Sequence, residues 1–170
     1  MIECYITGIV RGDEYVYAGV ATYDRNTLFE FSDRKRTNKP DADLIAIYSA
    51  LEELLKQLHL LSYNKHKIII KTEVRFLVNK MKRQFPKKGI VGGHAEVSYR
   101  CVRIVNDYFK SVKFQRCTVA DNVRAITLAN QAFSKTDYAK KLKVESLPDI
   151  KKVILRKQNS ELTESKPLAL

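Results

Sequence analysis

From Met1 to Arg36 the chain consists of β-branched and aromatic runs broken by short polar turns, a pattern that predicts three strands. Ile2 to Val10 is the first, Arg11-Gly12-Asp13 supplies a turn, Tyr15 to Tyr23 is the second, and Asp24-Arg25-Asn26 leads into Thr27 to Phe31. Connections this short predict an antiparallel meander. The periodicity then changes. In NKPDADLIAIYSALEELLKQLHLL the apolar residues Leu44, Ile47, Leu51, Leu54, Leu55 and Leu58 recur at helical spacing. Pro40 suits the start of that helix, and Asp41 is placed to cap it.

Ser62-Tyr63-Asn64 ends the helix, and Lys67 to Lys71 is the next strand; its unbroken Ile68-Ile69-Ile70 predicts a central strand buried on both faces. Arg75 to Phe85 is a short helix closed by Pro86. Lys87 to His94 is a Gly-rich loop without the Lys-Ser/Thr ending of a phosphate-binding P-loop. Ala95 to Val112 carries Val97, Cys101, Ile104, Val105 and Tyr108 at helical spacing, and Lys113 to Val119 is a strand. A last helix runs from an N-cap at Asp121 to about Lys140. Beyond Lys141 the pattern weakens, and Gln158 to Leu170 reads as a flexible tail. The order βββ-α-β-α-α-β-α implies an α/β domain over residues 1–140, with a mixed five-stranded sheet flanked by helices, and a C-terminal extension over 141–170.

Composition adds a direction to this picture. The 170 residues carry a formal charge of +12. It is unevenly spread: residues 1–73 hold 10 Lys/Arg against 11 Asp/Glu, residues 74–124 hold 12 against 3, and residues 125–170 hold 9 against 5. A neutral first part beside a basic middle points to one cationic face and a phosphate-backbone partner. No apolar run is long enough to span a bilayer and the N-terminus has no signal-peptide pattern, so no membrane partner is expected. Cys4, Cys101 and Cys117 include no C-x-x-C pair and read as thiols in a reducing, cytoplasmic setting.

The first strand ECYITGI, the helix NKPDADLIAIYSALEEL, the strand end IIIKTEVRFLVNKM and the last helix NVRAITLANQAF, in that order, together resemble the ribonuclease H family, of the ribonuclease HI type. NKPDADLIAIYSALEEL resembles the family's first-helix motif, with Ala42-Asp43 in place of Ala-Glu, then Ala46, Ala50 and Leu51. IIIKTEVRFLVNKM resembles its Thr-Asp-Ser strand end, with Glu73 where Asp belongs and Val74 for Ser. NVRAITLANQAF resembles its final-helix motif through Asn122, Ala125, Leu128, Ala129 and Ala132, while Ile126 stands in the Asp position. ECYITGI resembles its first strand, except that Thr7 replaces the activating Asp. The resemblance covers roughly Met1 to Lys140 and implies the same fold.

It also implies a two-metal site in which four carboxylates hold Mg²⁺ or Mn²⁺ against the scissile phosphate. Two acids survive, Asp43 and Glu73, as residual catalytic and metal-binding candidates with their lengths exchanged; Thr7 and Ile126 occupy the lost positions. The implied consequence is a degenerate site with lost or strongly weakened hydrolysis and no cofactor. Each surviving acid also has a structural reading at a helix start, where the dipole favours a carboxylate.

NKMKRQFPKKG gathers Lys80, Lys82, Arg83, Lys87 and Lys88 beside that strand end, and Arg100, Arg103 and Lys110 extend the charge along the next predicted helix. Phosphate contacts of this type give affinity without base readout. The leading expectation is a nucleic-acid-binding targeting or assembly module that recognises an RNA–DNA hybrid or another duplex, with a possible protein partner through the tail. The alternatives are a divergent metal-dependent ribonuclease H cleaving RNA in hybrids, using Asp43 and Glu73, and a protein-interaction scaffold with a basic face.

Overall fold

The computed structural model describes residues 1–82 and 93–134, and the compact unit it defines is Met1–Phe133. The three N-terminal strands form as the pattern predicts: β1 (Ile2–Arg11), β2 (Glu14–Tyr23) and β3 (Asn26–Arg36). Each hairpin turns through two residues, Gly12-Asp13 and Asp24-Arg25, between the paired ends Arg11↔Glu14 and Tyr23↔Asn26. Gly12, Asp24 and Arg25 all have positive φ, as two-residue hairpin turns demand. β3 runs five residues beyond the predicted Phe31, because the polar segment Ser32–Arg36 pairs with β2 as a solvent-facing edge.

Helix α1 (Ala42–Leu60) follows, then a single 3₁₀ turn at Tyr63–Lys65, β4 (Lys67–Thr72), α2 (Arg75–Lys82), α3 (Gly93–Tyr108), β5 (Ser111–Arg116) and α4 (Val123–Ser134). The sheet order is β3-β2-β1-β4-β5, with β1–β2 and β2–β3 antiparallel and β1–β4 and β4–β5 parallel. This is the mixed five-stranded sheet read from the sequence. The predicted helix Ala95–Val112 runs too far, since Ser111 and Val112 belong to β5, where Val112 pairs with Ile68. The predicted extension of α2 to Phe85, the end of the last helix near Lys140 and the extension 141–170 lie outside the described residues, as does the predicted loop from Lys87 to His94 up to Gly92; its last two residues, Gly93 and His94, belong to α3.

Strand alternation divides the apolar residues between two faces. On one face Ile2, Cys4, Ile6, Ile68, Ile70 and Phe114 pack with the α1 stripe of Ile47, Leu51, Leu54, Leu55 and Leu58, together with Leu77 and Cys101. On the other, Val16 and Ala18 of β2 meet Ala129 and Ala132 of α4 in a smaller cluster. That second layer stops short of β4. Ile69 is therefore only half-buried, and the expectation of a strand buried on both faces fails because α4 covers β2 and not β4. Cys4 and Cys101 are buried free thiols, while Cys117 is half-buried. No helix among the described residues is long and apolar enough to cross a membrane.

The large core depends on a close crossing. At Gly8 a Cβ would lie 2.6 Å from the Ile47 amide nitrogen and 2.7 Å from the Ala46 carbonyl carbon. Both are backbone atoms in the middle of a packed interface and cannot yield cheaply. Gly8→Ala is expected to separate α1 from β1 and cost about 2–3 kcal/mol of stability. The midpoint of urea unfolding measures that loss.

Candidate functional site

β4 ends at Thr72, and Glu73 stands at its C-terminal end, two residues before α2. Thr72 is fully buried, and its hydroxyl accepts the amide of Val74 at 3.2 Å, stabilising the turn into α2. Glu73 lies on the face opposite the large core. There Thr7 of β1, itself 1% exposed, donates its hydroxyl to Glu73 Oε1 at 2.5 Å. The Nδ2 group of Asn122, fully buried at the entrance to α4, donates to Glu73 Oε2 and to the Ile6 carbonyl at 2.9 Å. One carboxylate thus joins β1, β4 and the start of α4. Asn122 Oδ1 is buried with no partner among the described residues.

Asn122 also holds the N-cap position of α4, since its carbonyl accepts the Ile126 amide at 3.1 Å. The reading of Asp121 as that cap is therefore corrected. Asp121 instead closes a reciprocal turn with Thr118: its carboxylate accepts the Thr118 amide and hydroxyl at 3.1 and 2.7 Å, and its own amide donates to Thr118 Oγ1 at 3.1 Å. The Thr118 hydroxyl holds the Asp121 carboxyl below its ordinary range. Asn122 is the site residue that sequence reasoning passed over. It is visible only as a motif match, because nothing local tells that its amide reaches Ile6 of β1, 116 residues earlier, and Glu73, 49 residues earlier.

Asp43 is exposed in the first turn of α1. Ile126 is half-buried and belongs to neither apolar cluster. Two residues before Glu73, Lys71 Nζ lies 2.9 Å from Glu3 Oε1 and 3.3 Å from the Tyr5 hydroxyl. Partial burial opposes its charge, but these two hydrogen bonds outweigh it and hold the Lys71 pKa above the usual value. The Mg²⁺ set implied by the resemblance needs several oxygen ligands in near-octahedral array. The residues present do not fit it. Both Glu73 oxygens are engaged by neutral donors, Thr7 brings a hydroxyl and Ile126 no oxygen, and no group of three or more His, Cys, Asp or Glu among the described residues is placed to hold a metal.

The basic candidates separate into classes. Lys80 is half-buried with Nζ 5.4 Å from the Phe76 ring centroid, and Lys82 is exposed at the end of α2. Arg83, Lys87 and Lys88 lie outside the described residues. Arg100 is committed within the protein, with Nε 2.8 Å from Glu52 and Nη1 3.0 Å from Glu96. Burial pushes the Glu52 pKa up, yet hydrogen bonds from Arg100 and Lys56 more than reverse this and leave it lowered. Arg103 is exposed, 4.0 Å from Asp107. Lys110 lies past the end of α3, not on its face with Arg100 and Arg103, and its amide donates to the Asn64 carbonyl at 3.4 Å.

His94 is in the first turn of α3, with its amide 2.8 Å and its Nδ1 2.7 Å from Asp41 Oδ2. Asp41 holds the N-cap position of α1, its carbonyl accepting the Ile45 amide at 3.0 Å, but its side chain makes no cap there and serves the first turn of α3 instead. The His94 hydrogen bond holds the Asp41 carboxyl below its ordinary value. The stabilisation is therefore complete above the unfolded carboxylate pKa of about 3.9 and is lost as pH falls through the lower folded value. Asp41→Asn is expected to lower Tm at pH 7 by about 3 °C, and the gap to the parent should close in acid below pH of about 4. Thermal melts of both proteins across that range measure it. Thr7→Val, which strips Glu73 Oε1 of its donor, is expected to cost about 1–3 kcal/mol in denaturant unfolding.

No protein-family profile matches the chain, and no curated protein matches it in sequence. Solved structures do. A ribonuclease H1 known as LC11, in complex with an RNA/DNA hybrid, superposes with a TM-score of 0.69 at 22% identity, over 79% of this chain and 97% of that one. Ribonuclease H1 from Halobacterium salinarum gives 0.62 at 18% identity, over 79% and 98%. The foamy viral protease-reverse transcriptase, also in complex with an RNA/DNA hybrid, gives 0.59 at 11% identity, over 77% of this chain and 19% of that one. At these identities the likeness speaks to architecture, and it agrees with the strand order and the helices on both sheet faces: the chain has the ribonuclease H-like fold.

Proposed function

We propose that this chain is a nucleic-acid-binding domain of ribonuclease H-like fold whose metal-dependent hydrolysis is lost, serving as a targeting or assembly module on an RNA–DNA hybrid or similar duplex. The observation that carries the loss of hydrolysis is the hydrogen-bonded closure of Glu73. A carboxylate that must share a divalent ion needs oxygen lone pairs directed at it and further acids around it. Here its two oxygens accept from Thr7 and Asn122 and serve to join three elements.

Nucleic-acid binding is supported by two independent features. The charge is concentrated in residues 74–124, at 12 Lys/Arg against 3 Asp/Glu. Two of the structurally similar proteins were captured on an RNA/DNA hybrid. Lys80, Lys82, Arg83, Lys87 and Lys88 are assigned to the phosphate backbone, with Arg103 and Lys110 as further contacts. Arg100 has a lesser share, since releasing it costs its bonds to Glu52 and Glu96. Residues 141–170 are assigned to a protein partner.

A hybrid-cleavage assay with Mg²⁺ and with Mn²⁺ tests the first half. No cleavage is expected from the parent protein, and metal-dependent cutting abolished by Glu73→Gln would overturn the reading in favour of a divergent nuclease. For the second half, affinity for a hybrid or double-stranded RNA is expected to fall about 10³-fold or more between about 50 and 200 mM salt. Absence of binding at low salt, read by fluorescence anisotropy, would favour a protein scaffold.

A further inference from the structure

On the sheet face that carries Glu3, Tyr5, Ile69 and Lys71, α4 packs over β2 and reaches Ile9 of β1, and no helix among the described residues lies over β4 and β5. Four exposed lysines converge at the N-terminal ends of these two parallel strands: Lys65 in the 3₁₀ turn, Lys67 at the start of β4, Lys110 just before β5, and Lys113 within it. The register fixes their proximity. Lys67 pairs with Ser111 and Ile69 with Lys113, so Lys67 and Lys113 share the open face about 8 Å apart. The backbone bond from Lys110 to Asn64 brings the other two turns together. None of the four belongs to an ion pair among the described residues, and the acids on neighbouring elements are engaged, Glu3 by Lys71 and Asp107 by Arg103.

We infer that this lysine cluster is a second phosphate-backbone contact, on the order of 20 Å along β4 from Glu73, that lengthens the footprint of the nucleic acid. The inference rests on the nucleic-acid reading above and places part of that partner on a surface the sequence did not single out. The chemistry favours nucleic acid over an acidic protein. Protein interfaces are depleted in lysine and anchored by aromatic residues and arginine. On the sheet face between Lys67 and Lys113 the apolar area is small: Ile69 is half-buried, and the Tyr5 ring is taken by Lys71, whose Nζ lies 5.2 Å from its centroid. A lysine that only protects an edge strand from pairing explains Lys113 but not Lys67, which lies on an internal strand.

The test is the full chain against the variant Lys65→Gln/Lys67→Gln/Lys110→Gln/Lys113→Gln, with a fluorescent RNA–DNA hybrid of about 16 base pairs and one of about 6. Since each phosphate contact contributes about 0.9 to the slope of log affinity against log salt, the slope of the fourfold variant is expected to fall by about 3.6 on the longer duplex. On the shorter duplex the difference from the parent is expected to be smaller, because about 6 base pairs span only about 20 Å. The double variant Lys67→Gln/Lys113→Gln should lose about half as much, and serves if the quadruple variant does not fold. Unchanged slopes with a binding parent would overturn this inference alone. A parent that binds no hybrid at low salt would overturn the functional reading along with it. Unchanged hybrid binding with lost binding to polyglutamate would assign the cluster to an acidic protein instead.

Discussion

A carboxylate at the end of an internal strand, with α4 entering beside it, must keep water, gain a cation or be given hydrogen-bond donors. Glu73 has the third arrangement. Thr7 and Asn122 supply the donors, from β1 and from the N-cap of α4, so satisfying this one acid also fixes β1 against β4 and the N-cap residue of α4 against both. Polar groups buried this deeply are costly when left unmatched. The position of α4, and with it the smaller apolar layer, therefore depends on that contact as well as on Ala129 and Ala132.

The opposite face rests on shape. Gly8 lets the α1 backbone approach β1 within a distance that no side chain allows, and the α1 leucines then reach Ile6, Ile68 and Ile70. Two polar contacts complete this layer from its rim. Arg100 ties α3 to α1 through Glu52, and Asp41, at the start of α1, supplies a carboxylate to the first turn of α3. Both carboxylates are largely shielded, and the two contacts tie the same helix pair at two points along its length.

Electrostatics on this molecule is a matter of which cations remain free. Arg34 and Arg36 meet Glu14, Arg124 meets Glu30, and Lys56 and Arg100 meet Glu52. Such pairs consume charge that a composition count treats as available to a partner. Among the described residues, four lysines with no such pair gather at the N-terminal ends of β4 and β5, where parallel pairing brings together segments over forty residues apart in sequence.

The sequence by itself determined the order of elements, the meander, the α1 stripe and the position of Glu73 at a strand end, because each follows from local periodicity, turn chemistry or a motif of neighbouring residues. It also determined that Thr7 and Ile126 bring no carboxylate. What it left open were choices made over long range. Ile68-Ile69-Ile70 looks buried on both sides, yet one side is half open because α4 packs over β2. Asp41 is the N-cap residue of its own helix, yet its carboxylate serves another. Arg100 looks free and is held by Glu52. Asn122 looks like one letter of a helix motif and proves to be a donor to Glu73. Only the tertiary structure decided these, since a side chain's partner depends on which distant backbone is packed against it, and local pattern carries no record of that.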